Sequence, residues 1–136
     1  MAVGPGLVGI LGQLETGGLG SHGQLLLGEA RRAAGAGLSL SVVVLLAALA
    51  DVAVQEQAGF ADNPDSAGEP DRLGTGYLSA DEVRELDWLR RRRNQILHHD
   101  SPAEARPFAL DAAQLEADAR RAAHAIAPLL AWLAEG

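Results

Sequence analysis

From residue 33 to residue 50 the chain carries no charged side chain, a stretch of about 18 residues that reaches the lower length limit for a membrane span. Gly35, Gly37, Ser39 and Ser41 dilute its first half, Asp51 closes it, and only residues 42–50 are strictly apolar. That pattern suits a helix buried on all sides better than one facing lipid. A helix from near Leu38 through Val54 is therefore expected at the centre of a protein core, with no membrane association.

The rest of the chain supplies material for such a core. Its 136 residues are about one domain's worth. Hydrophobic residues make up 48% and aromatics 4%, so the core must be aliphatic. Ala and Leu are strong helix formers, which points to an all-α fold. Without cysteine there is neither a disulfide framework nor a thiolate metal site, and a reducing compartment fits. The first six residues, Met-Ala-Val-Gly-Pro-Gly, lack the positive start of a secretory signal and are broken by glycine. A cytoplasmic location is expected. The net charge of -7 is the opposite of a broad nucleic-acid footprint, so any contact with nucleic acid must be local. One dense basic cluster exists, Arg90-Arg91-Arg92-Arg93.

Residues 1–23 are glycine-rich, with Leu7, Val8, Ile10, Leu11 and Leu14 as the main apolar patch, so any helix there is short or irregular. A first clear helix is expected over residues 24–34, followed by the breaker Gly35-Ala36-Gly37 and the apolar helix, which Gln55, Glu56, Gln57 and Gly59 end. The composition of residues 59–76 reads as a mobile loop. Ser79-Ala80-Asp81-Glu82 spells a capping box, with Leu78 and Val83 as staple, and opens a helix to about His99. Asp100-Ser101-Pro102 stops it. Asp111-Ala112-Ala113-Gln114 opens the last helix, with Leu110 and Leu115 as staple, and Pro128 is placed to kink it before Trp132. The expected order is a helix pair, a long loop and a second helix pair.

Gly18-Leu19-Gly20-Ser21-His22-Gly23 matches the GxGxxG pattern of dinucleotide loops and precedes a helix. No buried strand leads into it and no second strand follows with an acid for ribose, so chance in a glycine-rich chain explains it better.

The helix around Arg93 is more informative. At about 100° per residue, with Val83 at zero, Leu86 falls near 300°, Leu89 near 240°, Ile96 near 220° and Leu97 near 320°. Arg93 lies within this apolar stripe at about 280°, whereas Arg91 and Arg92 turn away at roughly 80° and 180°. A guanidinium keeps its charge, so on a core face it pairs with an acid, lines a cleft or snorkels outward. Asn94 and His98 are four residues apart and share one edge of the helix beside the stripe. Asp51, the carboxylate ending the apolar helix, is either a partner for Arg93 or His98, or a solvated residue near a helix end. His99, Asp100 and His124 read as ordinary surface positions. No pair of His or acids has metal-site spacing such as His-Glu-x-x-His, no cofactor is indicated, and there is no Gly-x-Ser-x-Gly elbow.

The stretch Arg93-Asn94-Gln95-Ile96-Leu97-His98 resembles the Arg-Asn-x-x-x-His motif of HEPN domains, a family of antiparallel helical bundles that are usually dimeric and include metal-independent ribonucleases. The long apolar helix ending in Asp51, where relatives often carry Glu, and the Ala-Arg-Arg-rich helix before it are similar as well. The resemblance covers roughly residues 24–130. It implies that Arg93 neutralises a scissile phosphate, that His98 moves protons as the ribose 2′-hydroxyl attacks, and that Asn94, Asp51 and Arg90 position or bind. Two motifs meeting across a homodimer interface would provide acid and base from two subunits. The activity implied is RNA cleavage of a toxin or phage-defence kind, with a cognate antitoxin as a partner. The alternative is a non-catalytic HEPN-like dimer that binds or regulates.

Overall fold

The computed structural model describes residues 6–58, 78–97 and 111–135, and every regular element among them is an α-helix. In chain order these are α1 (Leu7–Gly12), α2 (Ser21–Gly35), α3 (Ser39–Ala58), α4 (Ala80–Leu97) and α5 (Ala112–Glu135). The all-α expectation holds. The loop expected at 59–76, the staple residue Leu110, and the pair His98 and His99 lie outside the described residues.

Among the described residues, the N-terminal segment forms one short helix, α1, and docks through apolar side chains. Leu11, Leu14 and Leu19 are all buried. Arg31 of α2 donates from Nε to the Leu11 carbonyl at 3.1 Å and from Nη2 to the Leu14 carbonyl at 3.3 Å. The Leu11 carbonyl also accepts the Leu14 amide at 3.3 Å, so these bonds tie α2 to the turn that follows α1.

α2 begins three residues earlier than the expected start at residue 24. Gly20 is extended and its carbonyl accepts from the Gln24 amide at 2.9 Å, closing the first turn at Ser21. Two glycines of the GxGxxG stretch have a packing explanation. A Cβ on Gly18 would stand 2.4 Å from the Leu133 carbonyl carbon and oxygen, and one on buried Gly23 would stand 3.0 Å from Leu19 Cδ2 and 3.4 Å from Leu49 Cδ1. α2 ends in a Schellman motif: Leu38 N–H donates to Ala33 O at 2.9 Å and Gly37 N–H to Ala34 O at 3.0 Å. Gly37 takes the left-handed conformation, φ 76°, that this motif requires.

α3 is the centre of the molecule, in contact with α2, α4 and α5. Val42, Val43, Leu46 and Leu49 are fully buried, and Ala47, Ala50, Ala53 and Val54 complete its inner face. α5, which packs on α3, contributes buried Ala119, Ala122 and Ala123 and the larger Ile126, Leu129, Leu130 and Leu133 to the same core. Alanine allows close approach of the helix axes, and the branched residues fill what remains. Leu40, Val44, Ala48 and Asp51, spaced four, four and three, share another face of α3 and are only partly buried. An apolar helix thus keeps one strip partly open beside α4.

The capping box forms as expected. Ser79 N–H donates to Glu82 Oε1 at 2.8 Å, and Glu82 N–H to Ser79 Oγ at 3.1 Å. Leu86 and Leu89 of α4 are buried. Leu97, expected on the same stripe, is instead 53% exposed. Asp111 opens α5 by accepting the Ala113 amide at 3.2 Å, and the helix continues through Pro128 to Glu135. Among the described residues, no helix is long and apolar enough to cross a membrane.

Candidate functional site

Arg93 meets Asp51. Its Nη1 lies 2.6 Å from Asp51 Oδ2, with the two side chains 20% and 34% exposed, which joins α4 to α3 at the end of the open strip. Nε and Nη2 both donate to Asn94 Oδ1, at 3.3 and 3.2 Å. Of the alternatives open for Arg93 and Asp51, the ion pair is the one realised. A guanidinium has five N–H donors, and among the described residues these bonds use three. Two remain to meet an anion. A planar fork held by a carboxylate on one side suits phosphate oxygens on the other.

The other three arginines of the cluster are also engaged. Arg90 and Arg91 both reach Asp87 at 3.0 Å, one helical turn back. Arg90 is thus placed on Asp87, while Asn94 and Asp51 gather on Arg93. Among the described residues, the four arginines are met by Asp87, Asp118 and Asp51. The basic run is therefore no broad cationic track.

Arg92 departs most from expectation. Helical geometry turns it away from the stripe, yet its side chain is 11% exposed and its Nε lies 2.7 Å from Asp118 Oδ2 on α5, itself 7% exposed. Gln114 Nε2 holds the other oxygen of Asp118 at 3.0 Å, and Arg92 Nη1 donates to Gln95 at 3.0 Å. The reason is that α4 has a second contact edge, towards α5. Residues reaching α5 (Glu85, Trp88 and Arg92) fall at about 140–200° on the same helical count, next to the apolar stripe. That edge is polar, so hydrophobic periodicity passes over it. Asp118 carried its own signal: it lies three residues after Leu115 and four before Ala122, on the apolar face of α5.

Glu85 and Arg121 form the outer link of this seam, a bidentate pair with both bonds at 2.9 Å. The Arg121 guanidinium also stacks over Trp88, 4.1 Å from the ring centroid. The Arg121 hydrogen bonds hold the Glu85 carboxyl below its usual range, against an opposing effect of burial, and the Glu85 hydrogen bonds raise Arg121 in turn. Among the described residues, no buried side-chain polar atom lacks a partner, and no group of three or more His, Asp or Glu could hold a metal.

Compared with family models, with curated proteins and with solved structures, the chain matches none.

Proposed function

We propose that the chain is a metal-independent endoribonuclease of the HEPN kind, acting as a homodimer through Arg93 and His98. The observation that carries this reading is the Asp51–Arg93–Asn94 arrangement, a guanidinium fixed by a carboxylate and an amide five residues before a histidine. In the reaction, the ribose 2′-oxygen attacks the adjacent phosphorus as His98 of one subunit takes its proton. The bond to the 5′-oxygen breaks, and His98 of the other subunit returns a proton to that leaving group. Arg93 stabilises the charge that builds on the phosphate oxygens. The products are a 2′,3′-cyclic phosphate and a 5′-hydroxyl. A toxin or phage-defence role, with a cognate antitoxin, belongs to the same proposal.

Cleavage should persist in EDTA, spare DNA and leave the cyclic phosphate. Arg93→Met and His98→Ala should each lower the rate by about 10² or more. If His98→Ala cuts as fast as wild type, the catalytic reading falls.

The dimer is supported by the open strip of α3, where Leu40, Val44 and Ala48 lead to Asp51 and so to Arg93. A second copy covering that strip would bury apolar surface and bring two Arg93 side chains close about a two-fold axis. Light scattering at micromolar concentration should give a dimer mass for wild type and a monomer mass for a folded Val44→Glu variant. A monomeric wild type would count against it. The engagement of all four arginines by carboxylates favours a second reading, the non-catalytic dimer that binds or regulates, and this takes over if purified protein cuts no RNA.

A further inference from the structure

Arg92 and Arg93 are neighbours in sequence, about 100° apart around α4, and they reach carboxylates on two different helices. Arg93 goes to Asp51 of α3 at 2.6 Å and Arg92 to Asp118 of α5 at 2.7 Å. A guanidinium sits roughly 5 to 6 Å from the helix axis, so a 20° roll of α4 would displace it by about 2 Å. A bond of this length does not survive such a shift. The roll of α4 is thus fixed from both sides at consecutive residues.

α4 has weaker help from apolar packing, since α3 makes its most extensive contacts with α2 and α5. Asp118 is the better anchored of the two carboxylates, buried and held on its second oxygen by Gln114. A buried ion pair is generally no more stabilising than a well-packed apolar pair of the same volume. Its distinctive contribution is direction.

We infer that Asp118 is a positioning residue for the Arg93 site: by holding Arg92 it sets the rotation of α4 that turns Arg93 onto Asp51. This rests on the functional reading above only in what it says of activity. The placement of Arg93 is measurable without any cleavage.

The experiment follows the side-chain Nη–H resonances of Arg93, the group that donates to Asp51, by NMR in the full-length chain. It compares wild type with Asp118→Asn and with the double variant Arg92→Met/Asp118→Leu, which removes both charges of the pair together. With helix content retained, exchange of the Arg93 Nη–H protons with solvent should rise about tenfold in both variants. Glu85→Gln, which loosens a different link between α4 and α5, should leave it unchanged. Where wild type cuts RNA, kcat should fall about tenfold with KM unaltered. A folded variant whose Arg93 exchange stays within about twofold of wild type overturns the inference, and so does failure of both variants to fold, which would make the pair a requirement of the fold itself. A wild type that cuts no RNA ends the ribonuclease reading but leaves the exchange result to stand or fall by itself.

Discussion

The two halves of this molecule are held by different physics. The α2, α3 and α5 region is an aliphatic core in which Val, Leu and Ala from each helix interlock and Asp118 is the one buried charged side chain among the described residues. The α4 seam carries its own apolar anchors, Leu86 and Leu89, but is fastened along both edges by ion pairs: Arg93 with Asp51, Arg92 with Asp118, and Arg121 with Glu85. Apolar burial is strong and non-directional, whereas charge-assisted hydrogen bonds are geometrically exacting and contribute modestly to net stability. The core therefore makes the protein stable, and the seam decides how one helix faces its neighbours. The candidate site stands on the seam.

This contrast is open to measurement. The largest effect should come from the core. Leu129→Ala, at a fully buried position, should cost about 3 to 5 kcal/mol in chemical denaturation, through lost transfer energy plus a cavity. A loss below about 1 kcal/mol would mean that the core repacks freely and is not the main source of stability.

The seam should respond less. Arg93→Met removes one partner of a pair that still touches solvent on both sides. The expected cost is about 1 to 2 kcal/mol, below that of breaking a fully buried pair. A cost equal to that of Leu129→Ala would erase the distinction between the two regions.

The smallest effect belongs to the outer pair. Because Arg121 lowers the Glu85 carboxyl from its ordinary 4.5, its contribution is fully present above that pH and is lost as pH falls through the lowered folded-state value. Both partners are well exposed, so Glu85→Gln should cost at most about 0.5 kcal/mol at neutral pH. The gap between variant and wild type should close on acidification. If it widens instead, the pairing does not govern Glu85.

Much of this was legible in the residues. The α4 start could be read from Ser79 and Glu82, because a capping box is a local motif whose partners lie three residues apart. Arg93 could be singled out by its place on the apolar stripe, and the Asp51 partnership could be raised as one alternative. Local geometry cannot choose among alternatives when the two residues are 42 apart in the chain. Arg92 was misjudged because its environment is supplied by α5, and a helix read alone shows which residues share its faces but not how many neighbours it has. Leu97 erred in the opposite sense, apolar by pattern and left uncovered at the end of α4.

By itself the sequence determined the four longer helices to within a few residues, the capping box of α4 and the central place of an apolar helix expected at 38–54 and found at Ser39–Ala58, since propensity, capping and apolar periodicity act over a few residues and leave a strong imprint at short range. Only the tertiary structure decided that two adjacent arginines part company for opposite helices, that the Gly18 and Gly23 backbones are needed for close packing, and that one strip of α3 stays partly open. Each of these depends on the relative placement of helices. That placement is a property of the whole packed set of side chains, and no short window of the chain contains it.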